Sequence, residues 1–153
     1  MKAPFRSRHR CKGASMLEIL IAVLVTSFGL LGLAGLTVTG LNSNHGSYLR
    51  SIATQQAYDM TDRMRANMAG VMNSNYDAIT ATIPTDPGCI TSGCSSSQMA
   101  TYDWFRWNTD NAALLPSGQG TVTRSVNIFT VTVSWDEGRS GTTDKSFSVR
   151  FEP

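Results

Sequence analysis

The sequence is poor in the residues that build metal and nucleophilic sites. Its 153 residues hold two histidines and three cysteines. A tetrahedral zinc site founded on Cys89 and Cys94 needs two more ligands, and beyond residue 13 the one remaining histidine is His45. No metal site is expected. A serine–histidine–aspartate site would also have to use His45. Paired carboxylates and a glycine-rich phosphate loop are both missing. The chain therefore reads as a non-enzyme with no catalytic residue and no cofactor. Proline is absent between Pro4 and Pro84, and no Asp, Glu, Lys or Arg occurs between Glu18 and Arg50. The net charge is only +2, too small an excess for a nucleic-acid partner.

That small excess is unevenly placed. Lys2, Arg6, Arg8, Arg10 and Lys12 stand in residues 1–13 with no acid among them. From residue 14 onward, 8 cations face 11 anions, a net of −3. Directly after the cations runs Ile19 to Leu36, ILIAVLVTSFGLLGLAGL, in which only Thr26 and Ser27 carry hydroxyls. As a helix these 18 residues span about 27 Å, close to the hydrocarbon thickness of a bilayer. The positive-inside rule puts residues 1–13 in the cytoplasm and the remainder outside. A secretory signal peptide is the alternative. Its apolar region is usually shorter, about 7–15 residues, although Leu33-Ala34-Gly35 loosely mimics a cut site.

Glu18 stands at the mouth of this run. A carboxylate at the centre of a membrane helix costs roughly 2.5–3.5 kcal/mol. At the edge the cost is smaller, and a helix beginning here gains from an acid in its first turn. The wider string is Lys12-Gly13-Ala14-Ser15-Met16-Leu17-Glu18 followed by an apolar helix. It resembles the processing site of type IV prepilins. The resemblance implies cleavage between Gly13 and Ala14 by the prepilin peptidase on the cytoplasmic face. It also implies N-methylation of Ala14 and a register-setting role for Glu18. A new α-ammonium and a carboxylate cannot both stay unpaired in apolar surroundings. In a filament, Glu18 of one subunit can answer the terminal amine of the next. The family usually has phenylalanine directly after the cut, where this chain has Ala14.

Beyond the membrane segment, apolar residues recur at Leu49, Ile52, Ala53, Ala57, Met60, Met64, Met68 and Val71, in helical steps. One nearly continuous helix from about residue 14 to about residue 71 is expected, roughly 85 Å long. Gly29, Gly32, Gly35 and Gly40 either permit close packing of membrane helices or mark a soft stretch. Asn42 to Gly46 is expected to weaken or break the helix just outside the membrane. The methionines at 60, 64, 68 and 72 read as adaptable core filling.

Residues 73–119 are rich in Asn, Ser, Thr, Asp, Pro and Gly. Cys89 and Cys94 fall outside the membrane if the topology holds, where disulfides form. Ser95 to Asn108 reads as a short serine-capped helix. Its Tyr102, Trp104, Phe105 and Trp107 suit packing over a sheet edge, or a ligand platform. Thr121 to Arg124 is a short strand. Phe129-Val131-Val133-Trp135 and Phe147-Val149-Phe151 alternate with polar residues, as half-buried strands do. The fold class is α+β: a pilin-like long N-terminal helix, transmembrane in its first half, packed on a small antiparallel sheet. The expected divisions are leader 1–13, transmembrane half 14–41, amphipathic half 42–72 and head 73–153.

Several further strings resemble the PilV-type minor pilins, the type IV pilus modification proteins. They are Ser15-Met16-Leu17-Glu18, Leu30 to Leu36, Asp62 to Asn67, the Cys89/Cys94 pair ahead of Asp103, Leu115 to Gly120, and Val131 to Trp135. The resemblance implies a low-abundance subunit that primes or caps pilus assembly in the inner membrane. Its partners would be other minor pilins, the major pilin, the prepilin peptidase, the assembly machinery and the lipid bilayer. A type II secretion pseudopilin shares the leader logic and is the alternative. A membrane-anchored adhesin-like module is a further one. Substituting Gly13 by leucine is expected to leave a larger, unprocessed membrane protein after co-expression with the peptidase. Equal gel mobility of the variant and the unsubstituted chain would contradict the assigned cut.

Overall fold

The computed structural model describes Gly13 and residues 15–153. Residues 1–12 of the leader and Ala14, on which the methylation and one side of the expected cut fall, lie outside the described residues. The chain divides into two units at Ser43/Asn44. The first is formed by the apolar part of helix α1, which runs Met16–Ala66. The second contains the rest of α1 and every later element.

Within the second unit follow α2 (Met68–Met72), β1 (Ala78–Ile79), α3 (Cys89–Ser92) and α4 (Ser96–Leu114). The chain then forms β2 (Gln119–Ser125), β3 (Ile128–Trp135) and β4 (Lys145–Phe151). The strands lie in the order β1-β2-β3-β4, each antiparallel to its neighbour. The α+β fold, a long N-terminal helix on a small antiparallel sheet, is the one expected.

The helix meets the sheet through one face. Leu49, Ala53, Ala57, Met60 and Met64 are buried, at steps of three and four. The sheet answers with Val122, Phe129, Val131, Val133 and Trp135. Along β3 the burial alternates strictly, because successive side chains of a strand point to opposite faces. The two alanines keep the helix surface low, so Trp107 of α4 can bring its indole Nε1 to within 2.8 Å of the Gln56 carbonyl. Gly120 completes this fit. A Cβ there would collide with the Trp107 ring.

Helix α4 begins with a capping box. The Gln98 amide donates to Ser95 Oγ at 3.3 Å, and Gln98 Oε1 accepts from the Ser95 amide at 3.0 Å. The helix runs to Leu114, beyond the Asn108 expected. Asn108 and Asn111 are fully buried on it, and polar residues in that position carry no apolar period. Asn108 pairs with the backbone of Gly120 and of residues 80 and 82 instead.

Two helical expectations are corrected. Asn42 to Gly46 does not break α1, which is unbroken from Met16 to Ala66. Gly46 serves close approach: a Cβ there would strike the Glu137 carboxylate, which lies against the helix. The helix is interrupted later, at Asn67. Its backbone leaves the helical region (φ −114°, ψ 57°), and its side chain caps α2 by accepting from the Gly70 amide at 3.2 Å. The methionine row divides accordingly. Met60 and Met64 are core, whereas Met68 and Met72 are exposed.

The two β-turns differ in character. Val126 and Asn127 close the β2–β3 hairpin, with Val126 at a left-handed φ of 58°. The β3–β4 connection is organised by carboxylates. Asp136 accepts from the Gly141 amide at 2.6 Å, and Asp144 accepts from the Glu137 amide at 2.9 Å. Desolvation would raise the Asp136 carboxyl, but the backbone N–H groups of Gly141, Ser140 and Arg139 outweigh it and hold it below the ordinary value. A depressed carboxyl stabilises the fold above its unfolded pKa of 3.8, and the contribution is lost as pH falls through the folded value. Asp136→Asn is therefore expected to melt at lower temperature than the unsubstituted chain at pH 7. The gap should close below about pH 4. A gap that persists unchanged at pH 2.5 would contradict the role of the charge.

Candidate functional site

The first unit has no core of its own. Residues 15–45 are exposed throughout, including fifteen large apolar side chains between Met16 and Leu41. Leu31 is 70% exposed and Phe28 67%. By length and hydropathy this is a helix able to cross a membrane.

Its few polar groups are settled within the helix. Thr26, Ser27, Thr37 and Thr39 each donate their hydroxyl to the carbonyl four residues back, at 2.6 to 3.0 Å. Hydroxyls satisfied this way do not call for water. A Cβ at Gly29, Gly32, Gly35 or Gly40 would meet nothing. These glycines are not required by contacts within the chain, so they leave a lowered surface for whatever lies alongside.

The sequence-predicted residues occupy the start of this helix. Gly13 is exposed and precedes the first turn. Glu18 lies in that first turn, where the Ile19 amide donates to the Ser15 carbonyl at 3.2 Å. No ion pair to Glu18 occurs among the described residues. The helix thus presents a single acid ahead of a charge-free apolar surface. Chemically it can accept a cation or ammonium group at its N-terminal edge and pack against lipid or other apolar helices. Among the described residues no group of three or more His, Cys, Asp or Glu stands together to hold a metal ion.

The other predicted residues stand in the second unit. Cys89 and Cys94 are joined, with Cα atoms 5.1 Å apart. The bond closes the turn of α3 just ahead of the α4 cap. Of the aromatic group, Trp107 is core, and Trp104 donates its Nε1 to the carbonyls of Thr80 and Thr82 at 3.0 and 2.8 Å. Packing against the core is thus the role of the two tryptophans, whereas Tyr102 and Phe105 contact each other with ring centroids 6.4 Å apart.

Sequence reasoning missed a buried polar cluster where α1 ends. The Tyr76 hydroxyl donates to Asp103 Oδ2 at 2.5 Å and accepts from Asn67 Nδ2 at 3.0 Å. The same Asn67 amide donates to the Ser96 carbonyl at 2.8 Å. Arg63 Nη1 lies 3.6 Å from Asp103 Oδ1, and its Nε 2.6 Å from Asp59. Four elements or their flanking turns are tied together here. The signal available was Asn67, a polar residue falling in step with apolar ones. Burial pushes the Asp103 carboxyl up, further than the Tyr76 hydroxyl and Arg63 hold it down. Burial, then the bond to Asp103, raises the Tyr76 hydroxyl. Burial would lower Arg63, but Asp59 and Asp103 together raise it.

Residues 35–105 match a family model, Tt1218-like, described as type IV pilin Tt1218. The match takes in the later part of α1, the Asn67 interruption and the disulfide. No curated protein and no solved structure matches the chain. Tyr76→Phe is expected to cost about 1–3 kcal/mol, because Asp103 and the Asn67 amide each lose a partner. The deficit should be largest at neutral pH and shrink as Asp103 becomes protonated. Chemical denaturation at pH 7 and pH 4 checks both the size and the sign.

Proposed function

From the type IV pilin reading that the family match and the fold support, we propose that this chain is a minor pilin of a type IV pilus. It works as a structural subunit that primes, caps or modulates assembly with other minor pilins and the major pilin. The observation that carries the reading is the pairing of one acid, Glu18, with an exposed helix surface free of Asp, Glu, Lys and Arg that runs to Leu41.

The mechanism is physical rather than chemical. In the inner membrane, lipid covers residues 19–41, with residues 1–13 cytoplasmic and the head periplasmic. Cleavage after Gly13 removes five cations and leaves an ammonium at Ala14, the position of N-methylation. When the subunit leaves lipid for the filament, its apolar surface exchanges lipid for neighbouring helices at little cost. The terminal ammonium and Glu18 are different, since each needs a partner in a medium of low dielectric. Pairing Glu18 with a neighbour's amine satisfies both and selects one axial register. A type II secretion pseudopilin would use the same parts, and genomic neighbourhood distinguishes the two systems.

Glu18→Ala is expected to be processed normally but to lower the number of pili per cell severely. Mass spectrometry of the mature N-terminus reports the cut and the methyl group, and electron microscopy counts the pili. Normal piliation by a fully processed Glu18→Ala chain would remove the register role.

A further inference from the structure

The two edges of the sheet are finished differently. At the β1 edge the strand is only two residues long. The chain beyond it is held by α4: Trp104 Nε1 and Asn108 Nδ2 both take the carbonyls of Thr80 and Thr82. At the other edge, β4 pairs with β3 from Lys145 to Phe151 in an uninterrupted one-to-one register. It has no proline, no bulge and, among the described residues, no strand on its outer side. Every second residue of β4 therefore turns its N–H and C=O away from the sheet, unpaired.

The side chains of this edge are incomplete in the same way. Phe147, Val149 and Phe151 point to the helix side but are only half-buried, whereas Val131 and Val133 beside them are fully buried. Natural edges are guarded by charge. Here the charges stand toward the ends: Lys145, 4.0 Å from Glu137, and Arg150. The middle, Ser146 to Val149, is uncharged.

We propose that the β4 edge is a docking surface for a second copy of this chain, joined through antiparallel β4–β4 pairing about a two-fold axis at Ser148. The argument is the self-complementarity of the strand. With Ser148 opposite Ser148, Phe147 falls opposite Val149 of the second copy on the helix side, and Lys145 opposite Phe151. On the outer side Ser146 falls opposite Arg150. Arg150 then lies diagonally beside Asp144 of the second copy, within reach of a cross-strand ion pair. No cation is opposite a cation within the strand. The paired edges form a continuous eight-stranded sheet and cover the half-buried phenylalanines. This surface belongs to the head and does not depend on leader processing.

The test is site-directed disulfide formation by the full chain in membranes. Cys11 is replaced by serine, and Cys89 and Cys94 remain bonded to each other. Opposed residues of antiparallel strands have Cα atoms about 4.5–5.5 Å apart, within disulfide range. Ser148→Cys is expected to give a dimer of twice the monomer mass on oxidation. Ser146→Cys alone is expected to give none, because its counterpart sits roughly 14 Å along the strand. Ser146→Cys and Arg150→Cys chains expressed together should cross-link to each other. Adding Ser148→Lys, which places two ammonium groups across the axis at an exposed position, should lower that yield at least tenfold with unchanged far-UV circular dichroism. Cross-linking of Ser146→Cys alone as efficient as that of Ser148→Cys overturns the register. No dimer at Ser148→Cys, or an adduct with a different subunit, overturns the second copy as the occupant.

Discussion

The exposed apolar surface of residues 16–41 is the constraint to which the rest of the chain answers. Fifteen large apolar side chains stand free there. At about 1.5 kcal/mol or more for each kept from water, covering them is worth on the order of 20 kcal/mol. That exceeds the roughly 5–15 kcal/mol by which a domain of this size is stable. Lipid or a bundle of like helices can supply the cover. Because either medium is apolar, moving between them costs little, and the residues that discriminate are the few that are not apolar. Glu18 is the acid among them.

The head solves a different problem: holding a long helix by one narrow face. Ala53 and Ala57 lower the helix surface, Trp107 reaches its backbone, and Gly120 makes room for the ring. Packing alone fixes such a helix poorly along its own axis. The Arg63–Asp103–Tyr76–Asn67 cluster adds direction, since each hydrogen bond is satisfied at one position only. Asn67 gives up a turn of helix to enter this cluster, and the chain turns away from α1 at that point. The disulfide acts next along the chain, pinning the approach to the α4 cap.

Local periodicity made much of this legible. The period-two runs at 129–135 and 147–151 became β3 and β4, and the helical steps from Leu49 to Met64 became the buried face of α1. Other features are tertiary and have no local period. Asn67 ends a helix because Tyr76 and Ser96 claim its amide, residues distant in sequence. Gly46 resembles a helix breaker, yet it admits Glu137 against an intact helix. Strand β1 is two residues long and exists because β2 offers it an edge. Asn108 and Asn111 extend α4 as buried polar residues, which an apolar pattern cannot register.

These two kinds of information divide the work of the molecule. A surface of leucine, isoleucine, valine and glycine can pack against apolar neighbours of many sequences, and the register role proposed for Glu18 would not distinguish one neighbour from another. In the proposed assembly, selectivity among subunits would come from the head, where hydrogen bonds and charges are placed individually. The head closes one sheet edge with its own side chains and leaves the other with its backbone groups free. Backbone pairing is strong but indifferent to sequence, so the discriminating element at that edge is the pattern of phenylalanine, serine and arginine along β4. A strand whose pattern matches itself favours its own copy over a neighbour with a different alternation. In the proposed assembly the helix would bring subunits together, and the head would choose among them.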